Sequence, residues 1–273
     1  MARTAASSTY PARAIVLRVR SLGEKDRVMT LLSPERGKFS AVARGARGAK
    51  AKLAAVSQPF MLARFLMARG KSLDIATQAE IENAHIHIAT DLLKTAWATY
   101  LCELCDAVPE QLPDAELFEL LSVTLAHLDA APNSTLDIEL IGRWFEARFL
   151  ALLGYSPTIG RCVACEQKIV VPLEDTTQRL AFSPLLGGTL CAGCASRDPQ
   201  RLTVSVQTMR ALHKLERAVT VPSGEDLALT GAGRRDLRDC LRASLYTQLE
   251  IKLKSQSFLE DVAASQLMGQ NDV

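Results

Sequence analysis

The 273-residue chain contains no uninterrupted apolar run of about 18 residues, so no membrane-spanning helix is expected. Its first ten residues, Met1–Tyr10, lack the apolar stretch of a secretory signal. They are Ala/Ser-rich and free of acids, but too short to support a transit-peptide reading, so the expected compartment is the cytoplasm. No G-x-S-x-G elbow and no H-E-x-x-H pair is present, which removes two common hydrolytic chemistries. Internal repeats and low-complexity tracts are missing as well. With 48% hydrophobic and 23% charged residues the composition is that of a globular chain, which excludes wholesale disorder and collagen-like repeats. The length allows one large domain or two to three small ones, at about 100–200 residues each.

The most telling absence is local. Between Glu35 and Asp74 there is no acid at all against nine Lys and Arg. Residues 1–80 carry 15 basic and 5 acidic side chains, a net of +10, whereas residues 81–155 carry 3 and 12, a net of −9. A net charge of +2 for the whole chain hides this asymmetry. It points to one half that faces a polyanion and another that must not compete for it.

The first 80 residues read as strands. Ile15, Leu17 and Val19 share a face by period-2 alternation, Val28–Leu32 is a short apolar run, and Lys38–Arg44 alternates again. Ser33–Gly37 is a turn cluster. Phe60–Met67 and Leu73–Ile81 flank a turn at Arg69-Gly70-Lys71. Five short strands fit a small barrel such as an OB-fold, and an SH3-like barrel has a similar strand count. From Glu82 the period becomes helical. Leu93, Trp97, Tyr100, Leu101, Leu104, Cys105 and Val108 form one stripe. Asp114 is placed to cap a second helix, and a third spans Thr135–Leu153 before Gly154. Two more are expected over Ser205–Val219 and Arg234–Leu253. The expected fold class is α+β multidomain: a barrel over 1–81, a helical bundle over 82–160 and 203–260, a cysteine-bearing insert over 161–202, and a flexible tail over 261–273.

Four of the seven cysteines form two knuckles, Cys162-Val-Ala-Cys165 and Cys191-Ala-Gly-Cys194, separated by 25 residues. Zinc takes four thiolates at tetrahedral corners, and each C-x-x-C bend supplies two of them. The spacer slightly exceeds the usual span of about 15–20 residues, which a longer hairpin absorbs. Disulfides are disfavoured in a cytoplasmic protein. One structural zinc per chain is expected, with Gly193 supplying a positive φ in the second knuckle. Cys102 and Cys105 form a third C-x-x-C, but inside the Leu/Trp/Tyr stripe, where cysteine packs as a small hydrophobe. Cys240 is read the same way.

Other motifs are incomplete. Gly70-Lys71-Ser72 resembles the end of a phosphate-binding loop, but Phe65 stands where that motif needs Gly and a strand follows, so a hairpin turn is expected. His85 and His87 do not share a helix face and have no third ligand nearby. The basic run carries more weight. Arg44, Arg47, Lys50 and Lys52, spaced by Gly and Ala, can offer cations to successive phosphates, with Arg18, Arg20, Lys38, Arg64 and Arg69 as further candidates. Tyr10, Phe39, Phe60 and Phe65 either stack bases or fill the barrel, and burial is favoured.

Several stretches in order resemble the RecO family of bacterial DNA repair and recombination mediators. They are Ala41-Val-Ala-Arg-Gly-Ala46 with the basic loop, Gln58-Pro59-Phe60, Leu153-Gly154-Tyr155-Ser-Pro157 leading into the first knuckle, and Leu253-Lys254-Ser255 with Phe258-Leu259. Two departures stand out: Ala51 where the family often has Ser, and Glu166 where Gly commonly follows the first knuckle. The resemblance implies an OB-fold N-domain, a helical bundle, binding of single- and double-stranded DNA, and annealing of complementary strands. It also implies partnership with RecR protein and single-stranded-DNA-binding protein, loading of RecA recombinase, and no enzymatic step. Two other readings stay open. One is a zinc-containing RNA-binding factor. The other is a metal-dependent nuclease, which needs clustered carboxylates where the barrel has only Glu24, Asp26, Glu35, Asp74 and Glu80.

Overall fold

The computed structural model describes residues 9–48, 51–109, 114–170, 178–250 and 253–269. Five strands open the chain: β1 (Thr9–Leu22), β2 (Asp26–Ser33), β3 (Gly37–Ala43), β4 (Leu62–Ala68) and β5 (Asp74–Asn83). They close a barrel in the order β1-β2-β3-β5-β4, with β3 and β5 parallel and the other pairs antiparallel. Ala14, Val16, Met29, Leu31, Ala41, Ala43, Ala63, Phe65 and Met67 form its buried centre, so small and large side chains alternate around a narrow interior.

The expected face Ile15–Leu17–Val19 needs correction. Ala14 and Val16 point into the barrel. Leu17 is then an extra residue between Val16, paired with Leu31, and Arg18, paired with Thr30. Such a bulge inverts the alternation, which is why Val19 packs on the centre while Ile15 is buried on the other face of the strand. The strand β5 also runs to Asn83, past the expected change of period at Glu82, because Glu82 is tied across the sheet to Arg13 and Arg64. Phe65 fills the barrel, and Tyr10 and Phe39 pack against its centre.

The chain divides into two compact units, Met1–Ala131 with Leu253–Val273, and Pro132–Lys252. The first holds the barrel with α1 (Ile86–Thr90), α2 (Leu92–Ala107), α3 (Ala115–Ala130) and α8 (Ser255–Gly269); the second holds α4 (Thr135–Leu152), α5 (Val206–Arg217), α6 (Gly224–Leu227) and α7 (Gly231–Leu249). The helices are therefore shared between two units, where periodicity alone grouped them as one bundle. Helix α8 also occupies most of the stretch expected to be a tail. Its first turn is held by the Glu103 carboxylate of α2, which accepts from the Lys254 and Ser255 N–H groups at 3.0 and 2.8 Å. Asp91 and Asp114 cap α2 and α3, accepting from Lys94 and Leu117 N–H at 2.9 and 2.8 Å. Gly154, at φ +84°, follows the end of α4 in the left-handed conformation that favours glycine.

The second unit also contains a three-stranded antiparallel sheet, β7-β6-β8, from β6 (Arg179–Ser183), β7 (Gly188–Leu190) and β8 (Leu202–Ser205). The cysteine segment is thus more regular than its sequence. Its hairpin β6–β7 lies between the two knuckles.

Candidate metal centre and nucleic-acid interface

The sulfur atoms of Cys162, Cys165, Cys191 and Cys194 all lie within 4.8 Å of one another. Cys165 Sγ and Cys191 Sγ are 3.8 Å apart. Cys162 and Cys194 are buried beneath Leu190, with Val163, Ala164, Ile169 and Ala181 packed around them. The first knuckle is a tight turn in which Glu166 N–H donates to Cys162 C=O and Cys162 N–H to Gln167 C=O, both at 2.8 Å. Val163 N–H donates to Thr189 C=O at 2.9 Å, which fastens this knuckle to β7. Arg197 reaches the Ala164 carbonyl at 3.3 Å from the other side.

The positive φ falls elsewhere than expected. Gly193 is not left-handed, because the second knuckle enters a 3-10 helix, Ala192–Arg197. Glu166 is, at φ 62°. The position where this sequence replaces a common glycine is the one whose backbone favours glycine. Burial pushes the Cys162 thiol up, but backbone hydrogen bonds from Cys191, Ala164 and Cys165 outweigh it and bring it to about 6. Cys194 moves the other way, up to about 12, through hydrogen bonds to Cys165 and Cys191 and through burial. Thiols this close share protons, and only a cation lets all four ionise together.

The remaining cysteines have the chemistry of packed side chains. Cys102, Cys105 and Cys240 are buried, and burial pushes each thiol above its ordinary value. His85 binds the Phe60 carbonyl at 2.8 Å, while His87 pairs with Asp129 at 3.2 Å, so the two rings serve different partners. Gly70 sits in the β4–β5 turn, where an added Cβ would lie 1.8 Å from the Leu73 carbonyl oxygen. No side chain fits there, and that turn accounts for the glycine.

The barrel's cations fall into two groups. Arg18 and Lys38 both pair with Asp106 of α2, at 3.0 and 3.6 Å, and Lys38 is only 10% exposed. Arg64 pairs with Glu82 at 2.5 Å. Arg69 lies over the Tyr10 ring at 5.3 Å and Arg36 over it at 4.4 Å; burial and a hydrogen bond to Asp74 push the Tyr10 phenol up to about 12. Arg20, Lys25, Arg44, Arg47 and Lys52 are exposed, and none has an ion-pair partner among the described residues. Lys50 lies outside the described residues.

The loop after β3 is seated on the barrel. Ala46, Leu53 and Val56 belong to its buried centre. Arg47 N–H donates to Lys25 C=O at 3.0 Å, its guanidinium to Gly23 C=O at 2.6 Å, and Gly45 N–H to Asp26 Oδ1 at 2.8 Å. Arg27 supports the far side through Ala54 C=O at 3.1 Å and Ser57 Oγ at 3.0 Å. The β1–β2 turn and this loop are therefore joined, and the joined segments carry Lys25, Arg44 and Arg47. Lys25 was not among the sequence candidates. Only its contact with the Arg47 backbone reveals it, and no spacing rule signals that contact.

A closed barrel with a cationic end, in one chain with a unit built around four converging thiols, defines the class. Two family models match in turn: Recombination protein O N terminal over residues 8–85 and Recombination protein O C terminal over residues 89–257. The chain belongs to the Recombination protein O family. It is 32% identical to the DNA repair protein RecO of Symbiobacterium thermophilum and 35% identical to that of Desulforudis audaxviator, in each case over 94% of this chain and 98% of the relative. It is 31% identical to the DNA repair protein RecO of Bacillus subtilis, over 94% of this chain and 96% of that protein. Among the described residues no helix is long and apolar enough to cross a membrane.

Proposed function

We propose that this chain exercises its family's role in DNA repair and recombination by binding single- and double-stranded DNA, annealing complementary strands, and helping recombinase onto coated strands. The observation that carries the reading is the seating of Gly45 and Arg47 on the β1–β2 turn, which joins the loop cations Arg44 and Arg47 to the turn that carries Lys25 at one end of a closed barrel. The strand order is that of an OB-fold, a fold that binds oligonucleotides through its β1–β2 and β4–β5 loops and the face between them. Arg44, Arg47 and Lys52, with Lys50, Arg20 and Lys25, are the proposed phosphate contacts. Arg69 lies apart from them, on the β4–β5 turn over the Tyr10 ring; Arg18 and Lys38 are consumed by Asp106. Three of the barrel's five acids have structural duties: Asp26 holds Gly45, Asp74 holds Tyr10 and Gly70, and Glu35 holds Ser33. That favours binding and hand-over without a catalytic step.

The thiol set fits zinc. Ligands about 2.3 Å from a tetrahedral centre stand about 3.8 Å apart, as Cys165 and Cys191 do. Cys162, Cys165, Cys191 and Cys194 would hold one structural ion that fastens the knuckles to the β6–β7 hairpin. RecR protein and single-stranded-DNA-binding protein are the proposed partners, with RecA recombinase served indirectly, in the bacterial cytoplasm at the nucleoid. Fluorescence anisotropy of labelled oligothymidine across a salt series tests the binding reading. Salt-dependent affinity carried by the loop cations supports it; stronger competition by RNA of matching sequence would turn it toward an RNA-binding zinc factor.

A further inference from the structure

Arg13 and Arg64 are register partners on adjacent strands β1 and β4. Their sequence neighbours Ala12, Ala14, Ala63 and Phe65 point into the barrel, so both arginines stand on its outer face. Like charges directly opposite each other repel, and a sheet gains nothing from placing them so. What makes the pair tolerable is one carboxylate on β5. Glu82 Oε2 meets Arg13 Nε at 2.8 Å and Glu82 Oε1 meets Arg64 Nε at 2.5 Å, one oxygen for each guanidinium. Both contacts use Nε, and a guanidinium has five N–H donors. The Arg13 group is further held 5.0 Å over the Phe118 ring, which orients its plane.

This is the arrangement in which two arginines grip a phosphodiester, whose two non-bridging oxygens present themselves as a carboxylate's do. The site is also accessible: Arg64 is 71% exposed, Arg13 37% and Glu82 21%. Exposed ion pairs contribute little to stability, so an incoming anion displaces the carboxylate at small cost. The Asp106 site differs, since Lys38 is almost buried there and its ion pair belongs to the packing.

We propose that the outer face of β1 and β4, through Arg13 and Arg64, is a second binding site for the nucleic-acid backbone, and that Glu82 occupies it as an internal phosphate mimic. The inference rests on the binding role proposed above. A strand leaving the basic end of the barrel gains this site only by displacing Glu82, so the acid sets how far along the barrel the strand is held.

The test is anisotropy with labelled oligothymidine on the full chain across a salt series. Glu82→Gln, which keeps a polar side chain of the same length, should bind about three- to tenfold tighter at low salt. Its salt slope should steepen by about 0.7 for each phosphate newly neutralised on a single strand. Adding Arg13→Gln and Arg64→Gln to Glu82→Gln should return affinity to the parental value. Glu82→Asp keeps the charge but is too short to reach both guanidinium groups, and should move affinity the same way by less; it serves if Glu82→Gln melts early. Asp261→Asn removes one exposed charge on α8 and controls for net charge. Unchanged binding by Glu82→Gln and Glu82→Asp, or an effect equalled by Asp261→Asn, overturns the proposal. Failure of the parental chain to bind, or binding indifferent to the loop arginines, strikes the underlying reading instead.

Discussion

The two units hold their functional groups by different physics. In the cysteine unit, four identical ligands are placed by backbone turns, and their number and spacing already name the chemistry. In the barrel, each cation's value depends on which acid has reached it. Arg18, Lys38, Arg13 and Arg64 are neutralised by Asp106 and Glu82, from the segment that carries the chain's acidic excess. Arg44, Arg47 and Lys52 have no ion-pair partner among the described residues. A metal centre can be read from ligand count. A polyanion surface can be read only after its internal counterions have been subtracted.

The harshest way to break this comparison is to remove ligands. Cys162→Ser with Cys191→Ser should abolish the roughly one equivalent of zinc expected for a closed shell. The cysteine segment should then unfold, since structural zinc contributes about 10–16 kcal/mol of apparent binding energy in small zinc modules. Retained metal in that variant would refute the assignment. Cys102→Ser with Cys105→Ser should leave metal content untouched and cost about 1–3 kcal/mol for burying two hydroxyls in α2. Metal analysis beside thermal melting separates the two cases.

On the barrel the corresponding blow is to the loop. Replacing Arg44, Arg47, Lys50 and Lys52 with Ala should weaken DNA binding alike for every sequence, because phosphate contacts position a strand without reading it. The salt slope should flatten by about 1–3, and the melting temperature should hardly move, because solvated charges contribute little. Parental affinity and slope in a folded variant would show the loop to be merely solvated. Arg27→Ala sharpens the contrast. It removes bonds to Ala54 and Ser57 under the same loop and should cost about 1–3 kcal/mol in stability as well as affinity.

Legibility followed the same division. The knuckles, the decoy pair on α2, the β4–β5 turn at Gly70 and the cap at Asp114 are local features, each decided within a few residues. Periodicity also distinguished the five barrel strands from the helices after them, although it revealed neither β6, β7 and β8 nor α8. It could not reveal the extra residue at Leu17, because one inserted position inverts every later side chain without changing composition. Nor could it divide the helices between two units: amphipathic stripes state that a helix packs, not on what. Lys25, Arg13 and Glu82 escaped for a third reason, since their roles depend on pairings across strands distant in sequence.

A smaller effect concerns the closing of the first unit on itself. Burial raises the Glu103 carboxyl, but hydrogen bonds from Ser255 and Lys254 outweigh it and hold its pKa below the ordinary 4.5. A carboxylate with a depressed folded pKa stabilises above its unfolded pKa and loses that contribution as pH falls through the folded value. The docking of α8 should therefore weaken only in acid. Glu103→Gln should lower stability at neutral pH and flatten the acid limb of a melting-temperature profile. An unchanged acid limb would remove Glu103 from the α8 junction.

The smallest expected effect returns to the cysteine unit and to the strained residue beside its first knuckle. Glu166 holds φ 62° immediately after the first knuckle, a conformation costing a side-chain-bearing residue about 1–2 kcal/mol. Glycine removes that cost but gives back about 0.5–1 kcal/mol in unfolded-chain entropy. Glu166→Gly should thus stabilise the unit by about 0–1.5 kcal/mol, with the Glu166 N–H bond to the Cys162 carbonyl retained. The sensitive readout is the rate of zinc loss to a chelator, which should slow, because opening the knuckle no longer relieves strain. Gly160→Ala, at φ +83° beside the same turn, should act in the opposite direction and hasten it. Faster zinc loss from Glu166→Gly would mean that the glutamate side chain, rather than its backbone, secures the knuckle.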